Sequence, residues 1–206
     1  MPAEIAELLQ SGIKQLQLSL NNSQLEKLLQ FIGLIQKWNK SYNLTTIDQA
    51  EDIIIKHIFD SLTAINYLHG ENIIDVGSGA GLPGIPLAIL CSSKQFLLLD
   101  ANIKKTRFIQ QAIISLELKN VRVVHQRVEH FIPQDMFDTV ISRAFAADIK
   151  LLDATQHLLN YGKVILMLGK QSSLQGLPKG YTVESMNAVN VPNLRASRHI
   201  AVIEKI

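Results

Sequence analysis

The sequence contains very little cysteine, which limits both the fold and the kinds of site it can hold. Cys91 is the only cysteine among 206 residues, so an internal disulfide and a thiolate zinc site are both excluded. The six histidines show no metal-ligand spacing, and we expect no bound metal. No apolar run approaches the ~18 residues of a membrane span, and the acidic start Met1-Pro2-Ala3-Glu4 is unlike a secretory signal. We therefore expect a cytoplasmic protein with no membrane segment.

Charged residues are also scarce, and neither sign dominates. They make up 18% of the chain against 47% hydrophobic residues, a balance that excludes intrinsic disorder. The net charge is only +2, so a surface that binds nucleic acid must concentrate its positive charge locally. The length corresponds to one domain with an extension or to two small domains.

Two kinds of pattern divide the chain near residue 70. Over 1–70, apolar residues recur at helical spacing, first at 25–38 and again at 54–68. Ser23 and Glu26 form a capping-box pattern at the start of the first of these helices, and His69-Gly70 ends the second. We predict an N-terminal helical extension over 1–70, packed on a second domain over 71–206.

From residue 71 onward, short apolar runs alternate with helical segments. This alternation predicts an α/β fold with a mostly parallel, doubly wound sheet. The predicted strands are 72–76, 96–99, 121–124, 139–141 and 164–168, and the predicted helices are 82–90, 104–116 and 149–159. Two further strands, 181–186 and 199–204, follow with no helix between them, which predicts an antiparallel edge.

The strongest functional signal is Asp75-Val76-Gly77-Ser78-Gly79-Ala80-Gly81, a glycine-rich loop between a predicted strand and a predicted helix. Glycines let the backbone approach a ligand closely, and the helix N-terminus offers free N–H groups. A phosphate-binding Gly-Lys-Ser/Thr sequence is absent, and the dinucleotide fingerprint needs a small residue where Leu82 stands. An acid two residues before the first glycine is instead typical of S-adenosylmethionine methyltransferases. We predict a Rossmann-like class I methyltransferase domain that binds this cofactor through Asp75, Gly77, Gly79 and Gly81.

Asp100 ends the second predicted strand of this domain. A carboxylate at that place can accept hydrogen bonds from both ribose hydroxyls of the cofactor. It can also serve as the N-cap of the helix that contains Lys104, and the two roles are compatible.

Several segments, taken together and in order, carry a family resemblance. They are Lys37-Trp38-Asn39-Lys40, Tyr42-Asn43-Leu44-Thr45, His57 with Asp60-Ser61, the glycine loop extended to Leu82-Pro83-Gly84-Ile85-Pro86, Phe137-Asp138 with Ile141-Ser142-Arg143-Ala144, and Arg198-His199. With them, nearly the whole chain resembles the RsmG (GidB) family of bacterial small-subunit rRNA methyltransferases.

The resemblance implies a reaction and a set of contacts. Such proteins transfer a methyl group from S-adenosylmethionine to N7 of one guanosine in 16S rRNA, so the implied partner is 16S rRNA or the small ribosomal subunit. Carried over residue by residue, the cofactor contacts fall on Gly77, Leu82, Val128, Glu129 and Arg143. The chain departs from the family after the fifth strand, where Gly169-Lys170 stands in place of Lys-Gly.

The residues themselves agree with methylation of N7. Cys91 lies at the far end of the helix after the glycine loop, which disfavours a cysteine nucleophile for pyrimidine methylation. The loop Ser142-Arg143-Ala144-Phe145 lacks the Asn/Asp-Pro-Pro-aromatic sequence that amino-group methylation commonly uses. N7 of guanine is nucleophilic already and loses no proton, so the enzyme must supply placement rather than a general base. Side chains reach N7 of a paired guanine poorly, because it lies in the deep major groove of A-form RNA. We therefore expect the target guanosine to lie in a loop or to be turned out of its stack.

Basic residues at several places are candidates for RNA contact. They are Lys37, Lys40, Lys104, Lys105, Arg198 and His199. Trp38, between the first two lysines, also continues the apolar face of its helix, which favours packing over base stacking. Arg143 follows a central strand and is assigned to positioning of substrate or cofactor, unless it forms only a structural salt bridge. We interpret His57 as a histidine of the core.

Three other functions remain open at this point. A small-molecule methyltransferase would keep the cofactor half and use the N-terminal helices as a lid. A nicotinamide oxidoreductase is disfavoured by Leu82 and by the lack of a Tyr-Lys or His dyad. A non-catalytic RNA-binding module is disfavoured by the intact cofactor loop. We expect the protein to act as a monomer.

Overall fold

The computed structural model describes residues 2–143, 149–169, 174 and 176–206. The helices are α1 Ala3–Gln15, α2 Asn22–Tyr42, α3 Ala50–Ile53, α4 Asp60–Leu62, α5 Gly84–Leu90, α6 Ile103–Ser115 and α7 Ile149–Thr155. A π-helical segment, Ile54–Phe59, joins α3 to α4, and 3₁₀ turns lie at Ile65–Tyr67, Val128–His130 and Gln156–Leu158. The strands are β1 Asn72–Val76, β2 Gln95–Asp100, β3 Val121–His125, β4 Thr139–Ser142, β5 Gly162–Leu168, β6 Tyr181–Val189 and β7 Arg198–Lys205.

The described strands form one sheet in the order β3-β2-β1-β4-β5-β7-β6. The first five strands in this order pair in parallel, whereas β7 is antiparallel to both β5 and β6. The parallel, doubly wound sheet and its antiparallel edge are therefore confirmed. The chain reverses its direction of winding between β1 and β4, where open α/β sheets form a ligand crevice outside the carboxyl ends of the strands. We call that side of the sheet the carboxyl edge.

Two clusters of buried apolar residues cover the two faces of the sheet. One contains Ile74, Val140 and Leu166 and packs beneath α7. The other contains Ile73 and Leu98 and continues into the N-terminal helices. Apolar burial at roughly 25 cal/mol per Å² makes this shared core the main source of stability.

The N-terminal helices lie against α5 and α6. The rings of Phe31 and Phe108 stack with centroids 6.2 Å apart, and Gln24 Nε2 donates to the Ile89 carbonyl over 3.2 Å. A Cβ added at Gly12 would lie 2.0 Å from Phe59 Cζ, so only glycine lets α1 approach this closely. Residues before and after 70 thus share one core, and the division into 1–70 and 71–206 stays a prediction.

The predicted capping box of α2 is wrong by two residues. The N-cap is Asn21, whose Oδ1 accepts from the Gln24 backbone N–H over 2.8 Å, while Gln24 Oε1 accepts from the Asn21 N–H over 3.0 Å. Ser23 lies inside the first turn. Asn and Gln supply the same reciprocal pair of hydrogen bonds as Ser and Glu, so both sequences fit the pattern.

The single helix predicted over 54–68 is also wrong. The chain turns as a π-helix over Ile54–Phe59, continues as α4, and ends in a 3₁₀ turn at Ile65–Tyr67. Apolar side chains recur closely enough in all three that periodicity does not separate them. The wider turn matters because π-helical turns are frequent at functional sites.

Candidate active site at the carboxyl edge

The glycine loop leaves β1 with three left-handed residues. Gly77, Gly79 and Gly81 have φ of 75°, 59° and 73°, values that L side chains rarely adopt. A Cβ added at Gly79 would meet nothing closer than 3.9 Å, where the Gly77 carbonyl and Lys105 Nζ lie. The loop therefore has an open face at Gly79, as a backbone that approaches a ligand requires.

Asp100 ties the end of β2 to this loop. Its Oδ2 accepts from the Gly79 N–H over 2.8 Å, and its Oδ1 accepts from the Asn102 N–H over 2.8 Å. Each carboxylate oxygen keeps acceptor capacity for a further donor, such as a ribose hydroxyl. The alternative role as the cap of α6 is wrong, because Asn102 occupies the N-cap and accepts from the Lys104 N–H over 2.9 Å.

Asp75 lies beneath the loop and is fully buried. Its Oδ2 accepts from the Gly84 N–H over 2.9 Å, whereas Oδ1 has no hydrogen-bond partner among the described residues. Burial raises the pKa of this carboxyl group to about 7, against the opposing effect of the Gly84 hydrogen bond. Asp75 is therefore a buried acid, only partly compensated by hydrogen bonding, directly under the predicted cofactor loop.

The other predicted cofactor residues lie around the same edge. Val128 is buried in the 3₁₀ turn that follows β3, and its neighbour Glu129 is exposed. Leu82 is buried in the core, and its N–H donates to the Ser78 carbonyl over 2.8 Å. The structure thus brings these residues to the ends of β1, β2 and β3, but their contacts with a cofactor stay predictions.

Arg143, which follows β4, forms an ion pair. Its Nη1 lies 3.3 Å from Asp60 Oδ2, 3.3 Å from the Lys56 carbonyl oxygen and 3.4 Å from His57 Nδ1. Arg198, the first residue of β7, places its Nε 3.0 Å from the other oxygen of Asp60. Both arginines are therefore held by one acid, to which the sequence analysis gave no role.

His57 is a buried histidine with partners, as its interpretation as a core residue expects. Its Nε2 lies 2.9 Å from Thr45 Oγ1. Burial and the positive charge of Arg143 lower its pKa to about 4. The imidazole is therefore neutral at pH 7.

A cavity of about 470 Å³ opens beside these groups. Its polar lining residues include His57, Asp60, Arg143, Arg198 and His199. The other lining residues are largely apolar and include Ile47, Met167, Leu168, Val189, Leu194 and Ile200. This volume, and a lining of both polar and apolar side chains, are typical of a pocket for a small molecule or a nucleotide. Gly169 also lines it, whereas Lys170 lies outside the described residues.

The predicted RNA-binding residues fall into three places. Arg198 and His199 line the cavity, and His199 Nδ1 is buried without a hydrogen-bond partner in the described part of the chain. Lys37 and Lys40 are exposed and line a polar groove of about 760 Å³ at the end of α2. Lys105 lies over the glycine loop and Lys104 is exposed on α6.

Trp38 packs rather than standing free for base stacking. Its ring centroid lies 4.9 Å from that of Tyr42 and 5.7 Å from that of Phe108. The geometry with Phe108 is edge-to-face, an arrangement that aromatic pairs favour in cores. The groove near Trp38 therefore offers lysines but not this indole face.

The described residues contain neither a cluster suited to a metal ion nor a helix suited to a membrane. Within residues 2–143, 149–169 and 176–206, no group of three or more His, Cys, Asp or Glu side chains is placed to hold a metal ion. Across the same described segments, no helix is both long enough and apolar enough to span a bilayer.

Comparison with known proteins gives a family match over most of the chain. The family model described as GidB, rRNA small subunit methyltransferase G, matches residues 24–201. Ribosomal RNA small subunit methyltransferase G of Idiomarina loihiensis is 44% identical over 202 residues, which cover 97% of this chain and 98% of that protein. The protein of the same name from Hydrogenovibrio crunogenus is 47% identical over 188 residues, covering 90% and 87%.

Solved structures give the fold. Magnesium protoporphyrin IX methyltransferase from Synechocystis PCC 6803, crystallised with S-adenosylmethionine, superposes with a TM-score of 0.58 at 15% identity, over 85% of this chain and 97% of that chain. TrmN from Thermus thermophilus superposes with a TM-score of 0.56 at 17% identity, over 83% and 53%. The class I methyltransferase fold is thereby confirmed.

Proposed function

Because the chain belongs to the rRNA small subunit methyltransferase G family, we propose that it methylates 16S rRNA with S-adenosylmethionine as the donor. The target atom that we propose is N7 of a single guanosine. The observation that carries the proposal is the full-length family match on a chain whose glycine loop is open at Gly79.

The residues of the carboxyl edge fit the cofactor. Gly77, Gly79 and Gly81 would pass along it, and the Asp100 carboxylate has acceptor capacity left for ribose hydroxyls. Val128, in the turn after β3, would supply an apolar surface for the adenine of the cofactor. When bound, S-adenosylmethionine supplies an electrophilic methyl group on its sulfonium sulfur. Lys105, near Gly79, is better placed to contact the cofactor than RNA.

The cavity beside the cofactor edge is the proposed place for the acceptor base. Guanine is flat and largely apolar on its faces, and the apolar side chains of Met167, Leu168 and Ile200 in the lining suit such a surface. With the cofactor bound, N7 would take up the methyl group as S-adenosylhomocysteine departs, and because no proton is lost, no side chain of this site would have to accept one. The low pKa of His57, about 4, makes it a poor proton acceptor, which agrees with a reaction that needs none.

RNA reaches this cavity, we propose, along the groove that contains Lys37 and Lys40. Thr45 and Ile47 connect the two places, since Thr45 lines the groove and Ile47 lines the cavity. The two exposed lysines would neutralise phosphates on the way. We further propose that the protein acts as a monomer in the cytoplasm and needs no metal.

Mapping of a methylated nucleotide tests the proposal. Purified protein is incubated with labelled S-adenosylmethionine and either unmodified 16S rRNA or unmodified 30S particles, and the product is digested and sequenced by mass. We expect one 7-methylguanosine, in at least one of the two substrates. Label on an adenine, on a pyrimidine or on a small metabolite would contradict the proposal.

A further inference from the structure

Asp60 is a buried acid that two arginines share. Its side chain is 7% exposed, while those of Arg143 and Arg198 are 23% and 26% exposed. The three residues come from the first position of α4, from the end of β4 and from the start of β7. Oδ2 lies 3.3 Å from Arg143 Nη1, and Oδ1 lies 3.0 Å from Arg198 Nε.

This sharing leaves donors on both arginines that have no partner among the described residues. Arg198 Nη1 donates to the Ser197 carbonyl over 2.9 Å. Neither arginine has a hydrogen-bond partner for its Nη2 among the described residues. Both side chains line the cavity proposed for the acceptor base. One carboxylate and two guanidinium groups give this cluster a formal charge of +1.

We propose that Asp60 is a positioning residue: held between Arg143, a predicted cofactor contact, and Arg198, it orients Arg198 to bind the phosphate of the nucleotide whose base enters the cavity. The inference rests on the proposed function. Guanidinium groups match phosphate oxygens as pre-oriented hydrogen-bond donors. Fixing the phosphate beside the cavity fixes the base within it, and methyl transfer to N7 depends on that placement.

The negative charge of Asp60 allows an experiment to distinguish orientation of the two arginines from simple electrostatic attraction of RNA. A carboxylate at this place reduces the positive potential that RNA meets, so its removal strengthens the attraction. The same removal frees both guanidinium groups to change conformation. Orientation therefore predicts that binding and turnover respond in opposite directions to Asp60→Asn, which raises the formal charge of the cluster by one.

The test compares wild-type protein with Asp60→Asn and Arg198→Lys. We measure RNA affinity at several salt concentrations, cofactor affinity by calorimetry, and single-turnover methyl transfer at saturating RNA and cofactor. For Asp60→Asn we expect unchanged or tighter RNA binding and a transfer rate lowered on the order of 100-fold when both RNA and cofactor are saturating. Arg198→Lys keeps the positive charge but loses the planar pair of guanidinium donors. The salt dependence of its RNA affinity should therefore stay unchanged, while its methyl-transfer rate falls about tenfold or more.

Glu184→Gln is the matched control. It removes the same charge and breaks an ion pair of 2.7 Å with Lys163 near the amino end of β5, on the opposite edge of the sheet from the cavity. Its transfer rate should equal that of the wild type.

Several results would overturn the inference. An Asp60→Asn protein that transfers methyl at the wild-type rate overturns it, as does one that loses RNA affinity and cofactor affinity together. Where Asp60→Asn fails to fold, a full rate in Arg198→Lys overturns it. A wild-type protein that methylates neither 16S rRNA nor 30S particles overturns the proposed function and this inference with it, whereas an active wild type with unimpaired variants overturns this inference alone.

Discussion

Replacing Asp75 by Asn should stabilise the cofactor-free protein and flatten its dependence on pH. Asp75 has no exposed surface, and one of its two oxygens has no partner among the described residues. Its folded pKa of about 7 lies above the ordinary value of 3.8. Asparagine keeps an oxygen for the Gly84 N–H and carries no charge at any pH in this range.

The direction follows from proton binding. Because the folded pKa is raised, the folded state binds more protons than the unfolded state between pH 3.8 and about 7. The contribution of Asp75 to stability is therefore fully present below pH 3.8 and is lost as the pH rises through about 7. At about 1.4 kcal/mol per pKa unit, the loss at pH 8 is roughly 4 kcal/mol.

His57 acts in the opposite direction and must be separated from Asp75. Its folded pKa of about 4 lies below the ordinary 6.5, so the unfolded state binds more protons and stability rises with pH across that window. In the wild type, the opposite effects of Asp75 and His57 on the pH dependence of stability partly cancel below pH 6.5. Both proteins retain His57, so the difference between Asp75→Asn and wild type isolates Asp75.

Urea unfolding at pH 5, 6, 7 and 8 without cofactor provides the measurement. The advantage of Asp75→Asn should grow by about 1.4 kcal/mol per pH unit up to pH 7 and then level off. Asp135→Asn, at an exposed acid, should show no such growth. A flat difference between wild type and Asp75→Asn would refute the assignment of a raised pKa to this carboxyl group.

Three further predictions concern the cofactor, the RNA and the reaction. Asp100→Ala should weaken S-adenosylmethionine binding about 10- to 100-fold by calorimetry, because it removes a charged acceptor and the anchor of the Gly79 N–H; a melting shift with NAD but none with S-adenosylmethionine would contradict the cofactor assignment. Replacing Lys37 and Lys40 together with Ala should weaken RNA binding and reduce its salt slope by about two, with cofactor affinity unchanged; an unaltered slope would remove the groove from the RNA path. Single-turnover transfer between pH 6 and 9 should lack a unit-slope rise, since no base is needed; a rise with a midpoint near pH 7 that Asp75→Asn retains would indicate a target that loses a proton, because Asp75 itself has a pKa of about 7 in the wild type.

The cofactor half of the site could be predicted from the sequence because its signals are local. The turn over 77–81 needs left-handed backbone at three alternate residues, and glycines supply it within five positions of sequence. Asp100 follows from the end of the neighbouring strand, since parallel strands that pair side by side bring their carboxyl ends together. The predicted helix cap was wrong, because Asn102 holds that position, and the ribose contact of Asp100 stays a prediction.

The helices of the N-terminal region were predicted less well, because apolar periodicity does not distinguish one type of helical turn from another. Apolar spacing marks which side chains face the core, but it does not fix how many residues each turn contains. The π-helical turn over Ile54–Phe59 therefore carried no signal of its own. The residues that contact this π-helical turn lie in other segments of the chain. Thr45 forms a hydrogen bond with the His57 ring, and α1 packs closely on Phe59 at Gly12.

The acceptor half depends on residues that the chain brings together only by folding. Asp60 meets Arg143 across 83 positions and Arg198 across 138, so no motif spans the cluster. In the sequence, Asp60 stands in a predicted apolar helix, where a buried acid without a visible partner costs free energy. That conflict between an acid and its apolar surroundings was the one local sign of the cluster. Because one of the arginines that resolve it follows β4 and the other begins β7, the order of the strands, and no local motif, places both guanidinium groups beside Asp60 and the cavity.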